Sequence, residues 1–247
     1  MGFKCSCKFK TGRKITVGNQ KVCAIVLAAG QGKRMKSSVQ KQYMLLKEHP
    51  ILYYSLKAFE DREEIEKIVL VVGKGEISYC RREIVEKHGF QKVTDIIEGG
   101  KERYHSVYEG LKSLKEECDY VLIHDGARPF ITEEMIINVI ESVKKYGACA
   151  VGMPVKDTIK MVNEEDFCVH TPERAKVWAM QTPQAFEYKI IKSAYDKLMQ
   201  KEIMVTDDAM VVEQFMNIPV KLIKGTYENI KITTQEDWKI AEVLMEG

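Results

Sequence analysis

Three short stretches set glycines, cations and carboxylates at the ends of apolar runs. The first is Gly30-Gln31-Gly32-Lys33-Arg34-Met35, with Lys41 a little further on. Glycines after a strand let backbone N–H groups approach phosphate oxygens. Lys33, Arg34 and Lys41 together supply enough positive charge to neutralise a triphosphate. The same residues would also make a tight turn with solvated charges. Two familiar phosphate loops are excluded. A dinucleotide fingerprint needs a third glycine where Met35 stands, and a P-loop needs four residues between its glycines, where Gly30 and Gly32 have one.

The second stretch is His124-Asp125-Gly126-Ala127-Arg128-Pro129. A lone Asp at a strand end suits Mg²⁺, which takes one or two carboxylates and completes its shell with phosphate oxygens and water. Arg128 has the fork to hold a phosphate bidentately; an Asp125–Arg128 ion pair at a turn is the plainer alternative. The third region lies near the C-terminus. Thr206-Asp207-Asp208 precedes a helical run, so Thr206 is expected to cap that helix and to offer its hydroxyl to a ligand. Glu228-Asn229-Ile230-Lys231 adds an acid and a lysine after the run Val220–Ile223. No Gly-x-Ser-x-Gly elbow occurs, and the five histidines show no His-x-x-x-His spacing, so neither a serine hydrolase nor a zinc peptidase is indicated.

These stretches need elements to position them. Val22–Ala29 is continuously apolar, as a strand buried on both faces is. Ile68–Val72, Tyr120–Ile123 and Ala148–Gly152 repeat that pattern. Between them, Pro50–Phe59, Glu102–Glu116 and Thr132–Tyr146 carry apolar residues near the helical repeat, the last with Thr132 as N-cap and Gly147 as terminator. Alternating strands and helices predict crossovers and a mostly parallel sheet with helices on both faces. Ligands then bind beyond the carboxyl ends of the strands, where the glycine loop and Asp125 sit. Pro154 to Phe186 breaks the rhythm with short mixed runs, and so long a non-helical segment predicts a β-arm packing on another chain or a meandering surface excursion.

Composition bounds the function. The 247 residues are 45% hydrophobic and 30% charged, and 38 Lys+Arg against 36 Asp+Glu leave a net charge of +2. That balance gives no global attraction to nucleic acid or an anionic membrane, and no apolar run approaches the ~20 residues needed to span a bilayer. Seven irregularly spaced cysteines without an apolar leader predict reduced thiols in the cytoplasm. Cys5-Ser6-Cys7 lacks a second ligand pair for zinc. Residues 1–20 are basic and irregular and predict a loosely ordered extension; residues 21–247 form one expected domain, with an arm at about 154–178.

Six of these motifs, in chain order, resemble those of the family of 2-C-methyl-D-erythritol 4-phosphate cytidylyltransferases. They are Ala28-Ala29-Gly30-Gln31-Gly32-Lys33-Arg34-Met35 with Lys41-Gln42-Tyr43; Gly99-Gly100-Lys101-Glu102-Arg103 with Ser106-Val107; His124–Pro129; Asp157-Thr158-Ile159-Lys160; Gln181-Thr182-Pro183-Gln184; and Asn229-Ile230-Lys231. The resemblance covers about Val22 to Val243. It implies a Rossmann-like nucleotidyltransferase fold with a protruding β-arm, a homodimer that exchanges the arm, CTP and methylerythritol phosphate as substrates, and Mg²⁺ as cofactor. By position it implies that Ala28, Ala29, Gly30, Gln31, Gly32, Lys33 and Met35, with Gly100, Arg103 and Ser106, bind CTP. Arg34, Lys41 and Lys231 match the catalytic cations and Asp125 the metal ligand. Arg128, Thr158, Arg174, Thr182 and Thr206 match the second substrate's site, with Thr158 and Arg174 supplied by the partner's arm.

The chain departs from the family pattern at Glu228, where Asp is usual, and at Lys47-Glu48-His49-Pro50, where Gly-x-Pro is usual. A ribitol 5-phosphate cytidylyltransferase would share the CTP motifs; Ala28-Ala29-Gly30, Trp178 and Asp207-Asp208 favour the methylerythritol branch. A non-catalytic nucleotide-binding regulator would have shed its catalytic cations, yet Arg34, Lys41, Asp125 and Lys231 are all present.

Overall fold

The computed structural model describes residues 20–30, 40–115, 118–201 and 203–246. Gln31, Gly32, Lys33, Arg34 and Met35, and the extension 1–19, lie outside the described residues. Seven strands form the central sheet: β1 (Val22–Ala28), β2 (Ile65–Val72), β3 (Val93–Glu98), β4 (Tyr120–Asp125), β5 (Ala148–Pro154), β8 (Trp178–Glu187) and β9 (Lys221–Lys224). Their order across the sheet is β9-β5-β8-β4-β1-β2-β3. Among the described residues of this sheet β8 alone runs antiparallel, between β4 and β5. Outside this sheet, β6 (Met161–Val162) and β7 (Cys168–His170) make a separate hairpin, and the short stretches Leu45–Leu46 and His49–Pro50 pair antiparallel with each other.

The period-2 alternation of each strand divides the core into two layers. Val22, Ala24 and Val26 of β1 face α1 (Ile51–Glu60), α3 (Glu133–Tyr146) and the helical stretch Ile77–Glu86. Cys23 and Ile25 face α2 (Arg103–Ser113), α4 (Tyr188–Leu198) and α5 (Asp208–Met216). A third, small cluster seats α6 (Gln235–Leu244) through Ala241 against Leu46, Ile51 and Ile232. Helix α3 ends as its sequence specifies: Thr132 Oγ1 accepts from Met135 N at 3.2 Å, and Gly147 closes it at φ 77°, a conformation glycine takes without steric cost.

Two sequence expectations need correction. Thr206 does not cap α5. Asp207 does, accepting from Met210 N at 2.9 Å, because the helix begins one residue later and a carboxylate is as good a cap acceptor. The irregular stretch from Pro154 does not run to Phe186 as a surface excursion. From Trp178 the chain enters the sheet as β8, and Gln184, Ala185 and Phe186 are buried between β4 and β5. Val93–Glu98, with only Val93 and Ile96 fully inside, lies at a sheet edge and has too little continuous apolarity to stand out in sequence.

Strand order positions the site. β1 lies between β2 and β4, and Leu27 pairs with Asp125. The chain leaves β1 toward β2 on one side and comes back to β4 on the other. Between the carboxyl ends of β1 and β4 lies the point where the winding reverses, which is where open parallel sheets bind ligands.

Candidate active site

A cavity of about 860 Å³ opens at that point. Its floor is the end of β1 (Leu27, Ala28, Ala29, Gly30) and Asp125 and Ala127 after β4. Gly73, Lys74 and Glu76 after β2 and Gly99–Arg103 with Ser106 after β3 form one wall. Gln40, Lys41, Gln42, Lys231 and Thr233 complete the lining, with Gln40 hydrogen-bonded to Glu76. The sequence-expected residues Ala28, Ala29, Gly30, Lys41, Gly100, Arg103, Ser106, Asp125 and Lys231 thus meet around one space.

The Gly99-Gly100 turn is held close. Gly100 N donates to Ser106 Oγ at 3.1 Å, and Ser106 Oγ donates to Glu102 O at 3.2 Å. A Cβ on Gly99 would lie 2.5 Å from Ser106 Oγ and 2.6 Å from Ala29 Cβ, so the turn can approach β1 only as glycine. This brings the start of α2 to the cavity wall, where Glu102 caps the helix by accepting from the His105 backbone N–H and Gly100, Arg103 and Ser106 line the cavity.

Charge is concentrated on Asp125. Lys231 Nζ lies 2.8 Å from its Oδ2, Arg103 Nε donates to Oδ1 at 3.1 Å, and Arg128 Nε stands 3.8 Å from Oδ2. Burial alone would raise the Asp125 pKa. Arg103, Lys231 and Arg128 outweigh it and hold the carboxyl well below the usual carboxylate range. Burial likewise opposes the charge on Arg103, and Asp208 and Asp125 beside it push its pKa well above the ordinary value. The plain Asp125–Arg128 pair expected from sequence is therefore one edge of a larger network.

The remaining expected residues are placed otherwise. Thr182 is buried below the cavity; its Oγ1 accepts from Asp125 N at 3.1 Å and sits 3.0 Å from His124 Nδ1. Arg128 also points inward, donating to Asn229 O at 2.7 Å and toward Met180 O at 3.5 Å. Lys41 lines the cavity and donates to Ile232 O at 3.2 Å, next to Lys231 in sequence. Thr206 is exposed, its hydroxyl 3.6 Å from Met210 Sδ. Thr158 and Arg174 are exposed beside the β6–β7 hairpin, with Arg174 donating to Lys156 O at 3.2 Å. Within one chain they are away from the cavity lining. Glu228 is exposed in the turn after β9.

Sequence reading missed Gln40, Glu76 and the structural use of Gln42. Tyr43 Oη donates to Glu76 Oε2 at 2.6 Å, Gln40 Nε2 donates to Glu76 Oε1, and Gln42 Nε2 donates to Ala28 O at 2.7 Å. These bonds fasten the Lys41 turn to the ends of β1 and β2. No spacing signal marks them, because the partners lie more than thirty residues apart except at Ala28.

Comparison with known proteins points to one family. Residues 22–247 match the family model described as IspD, 2-C-methyl-D-erythritol 4-phosphate cytidylyltransferase. A protein of that name from Lachnoclostridium phytofermentans is 54% identical over 92% of this chain and 97% of its own length. One from Caldanaerobacter subterraneus subsp. tengcongensis is 44% identical over 91% of this chain and 98% of its own. Among solved structures, 4-diphosphocytidyl-2C-methyl-D-erythritol synthase from Anaerococcus prevotii superimposes with a TM-score of 0.83 at 35% identity, covering 93% of this chain and 97% of that one. The fold, the order of motifs and these matches agree, and the chain belongs to the family of 2-C-methyl-D-erythritol 4-phosphate cytidylyltransferases.

Proposed function

We propose that the cavity between β1 and β4 transfers the cytidylyl group of CTP to 2-C-methyl-D-erythritol 4-phosphate, with the residues around Asp125 as its charge-handling centre. That is the family's reaction in the non-mevalonate isoprenoid pathway, and it yields 4-diphosphocytidyl-2-C-methyl-D-erythritol and pyrophosphate. The observation that carries the assignment of roles is the set of cations gathered on one buried carboxylate at the switch point of the sheet.

Two anions must react, so repulsion is the main obstacle. Positioning and charge neutralisation supply the catalysis, and no covalent nucleophile is needed. The attacking phosphate, with a second pKa of about 6, is already largely a dianion at neutral pH and needs no strong general base. In this reading the Gly30 loop and the first turn of α2 hold the triphosphate, with Gly100 and Ser106 on the nucleoside. Lys41 and Lys231 face the α-phosphorus and take up the charge that develops there. Arg34, Gln31, Gly32, Lys33 and Met35 have the same roles as the sequence assigns them.

The family is one of nucleotidyltransferases, a class that commonly uses a divalent metal. Asp125 is the carboxylate we assign to Mg²⁺, an ion that shares its shell with phosphate oxygens and water; Lys231 holds its Oδ2 and Arg103 its Oδ1 in this structure, so phosphate oxygens would supply most of the ion's ligands. A divalent cation held there would offset the negative charge of the phosphates.

The arm is assigned to a homodimer in which each chain lends Thr158 and Arg174 to its neighbour's second-substrate site. Phe167 and Val169 on the hairpin are 66% and 65% exposed, which an isolated hairpin gains nothing from. Cys23, Cys80, Cys118, Cys149 and Cys168 are free thiols, in keeping with a reducing cytoplasm. No helix among the described residues is long and apolar enough to cross a membrane. The test is turnover by the purified protein with CTP, Mg²⁺ and either methylerythritol phosphate or ribitol 5-phosphate, followed by pyrophosphate release and phosphorus NMR of the product. Turnover of only ribitol 5-phosphate would refute the assignment.

A further inference from the structure

The turn that carries Lys41 is short. Lys41–Tyr43 form a single 3₁₀ turn, closed by Tyr43 N on Gln40 O at 2.9 Å and Met44 N on Lys41 O at 3.2 Å. So brief a helical turn does little to fix itself. Side chains on both sides of Lys41 hold it instead. Gln42 Nε2 donates to Ala28 O at 2.7 Å and to Gln40 Oε1 at 2.5 Å. Gln40 Nε2 donates in turn to Glu76 Oε1. Glu76 Oε2 accepts from Tyr43 Oη at 2.6 Å and from Gly73 N at 3.0 Å. The carboxylate is folded so closely onto the end of β2 that a Cβ on Gly73 would lie 2.7 Å from it. A relay thus runs Ala28–Gln42–Gln40–Glu76–Gly73, from the end of β1 to the end of β2, with Lys41 on the turn between.

The direction of this relay is fixed at both ends. The Ala28 carbonyl can only accept and the Gly73 N–H can only donate. Gln42 must therefore turn Nε2 toward Ala28. Gln40 must turn Oε1 toward Gln42 and Nε2 toward Glu76, and Glu76 must accept at both oxygens. Glutamate does this and glutamine does not. With an amide at position 76, its Nε2 would face either Gly73 N or Gln40 Nε2, donor against donor. Turning Gln40 over moves the conflict to Gln42, and turning Gln42 over sets its Oε1 against Ala28 O. The native direction also leaves Gln42 Oε1 buried with no partner among the described residues. A buried acceptor without a partner costs stability, so the relay is a poor device for stability alone. What it accomplishes is to hold a cavity-lining turn with Lys41 on it.

We propose that Glu76 is a positioning residue of the transfer site: its carboxylate sets the direction of the relay between β1 and β2 and so holds Lys41 in place at the cavity. Glu76 acts through Lys41 and not on the reacting atoms. The inference rests on the reading of Lys41 as a cation of the transfer step.

The test is a set of variants assayed for kcat, KM and calorimetric CTP affinity, with whichever polyol phosphate the wild type turns over. Glu76→Gln keeps the shape and breaks one link of the relay. Its kcat should fall about 10- to 100-fold, the scale of small misplacements of a catalytic group, while CTP affinity stays within about twofold of wild type. On a Lys41→Ala background the same change should lower kcat no further. Gln40→Glu combined with Glu76→Gln gives every donor an acceptor again, because the new carboxylate accepts from Gln42 and from the new amide. Most of the lost kcat should return in that pair. A Glu76→Gln protein with wild-type kcat overturns the proposal, whatever its thermal stability. So does an equal loss on the Lys41→Ala background, and so does an exchanged pair no more active than Glu76→Gln. If circular dichroism shows Glu76→Gln to be unfolded, Gln40→Met decides. It cuts the relay at a half-buried residue, and kcat should fall in otherwise wild-type protein and not beside Lys41→Ala; an unchanged kcat counts against the proposal. Lys41→Ala with wild-type kcat refutes the role of Lys41 and this inference with it. An impaired Lys41→Ala beside an unaffected Glu76→Gln refutes this inference alone.

Discussion

Two regions of the molecule treat water in opposite ways. At the carboxyl edge of the sheet, Asp125, Arg103, Arg128 and Asp208 are drawn into the protein and paired with one another. On the β6–β7 hairpin, Met161, Val162, Phe167 and Val169 stand at least half exposed. Buried charge and exposed apolar surface are each unfavourable by themselves. Each becomes intelligible with a complement: anionic substrates for the first, a second chain for the second. The difference predicts what mutation does. Changes at the sheet edge should act on the chemical step, and changes at the hairpin on assembly and on the affinity for the second substrate.

The sharpest way to break that division is Lys41→Ala. A cation aimed at developing charge acts mainly in the transition state, so kcat should fall about 10²–10³-fold. CTP affinity measured by calorimetry should change only a few-fold. A variant that keeps half its kcat would remove Lys41 from the catalytic step. Arg34→Lys should also impair kcat, since lysine does not reproduce the fork of arginine.

The hairpin side predicts a smaller effect of a different kind. Arg174→Ala should raise KM for methylerythritol phosphate about tenfold, the loss of one charged hydrogen bond, and leave CTP affinity near wild type. Subunit mixing gives the decisive version. In a heterodimer of Arg174→Ala and Lys41→Ala chains, one composite site carries both lesions and the other none, so up to half the activity of a normal dimer should return. Exchange confirmed by native mass spectrometry without recovered activity would confine Arg174 to its own subunit. Phe167→Glu should weaken dimerisation by about tenfold or more in sedimentation, while the thermal unfolding of the chain changes little. A dimer of unchanged affinity would detach the hairpin from assembly.

How much of this was legible in sequence follows from range. Val22–Ala28, Tyr120–Asp125 and the Thr132–Gly147 helix with its cap and stop are written in contiguous residues, and they appear where periodicity puts them. Asp125 on the same cavity as Gly30 required only strand order. Asp208 was visible as a charged pair before a helix, but its partner Arg103 lies 105 residues away, and nothing local announces a buried fork. Tyr195 reads as one more apolar position on α4; only the fold reveals its hydroxyl on Asp208. Strand β8 misled for a similar reason: Gln181, Thr182 and Gln184 are polar yet buried, because their partners come from β4, α5 and the turn after β9. The long-range polar partners of the site are what the sequence conceals.

The smallest expected effect tests whether the sheet edge alone carries hidden sensitivity to acid. His124 is 0% exposed, directly before Asp125. A backbone carbonyl can only accept, so Nε2, 3.2 Å from Arg128 O, carries the proton; Nδ1, 3.0 Å from Thr182 Oγ1, is then the acceptor. Both nitrogens are satisfied in the neutral form. Burial pushes the His124 pKa down to about 4, against the raising influence of Asp125. The sign follows from linkage. Between pH 6.5 and 4 the unfolded chain binds a proton at this histidine and the folded chain does not, so stability is full above about 6.5 and falls as the pH drops toward 4. From pH 7 to 5.5 the loss should be about 1 kcal/mol. His124→Gln retains a donor and an acceptor and removes the titration. Urea unfolding at the two pH values should therefore show a drop for the wild type about 1 kcal/mol larger than for His124→Gln. Equal drops would mean that His124 is protonated in the folded protein and that the acid sensitivity of this edge lies elsewhere. The Phe167→Glu variant serves as the control from the hairpin, where exposed side chains have water in both states, and its drop between the same pH values should match that of the wild type.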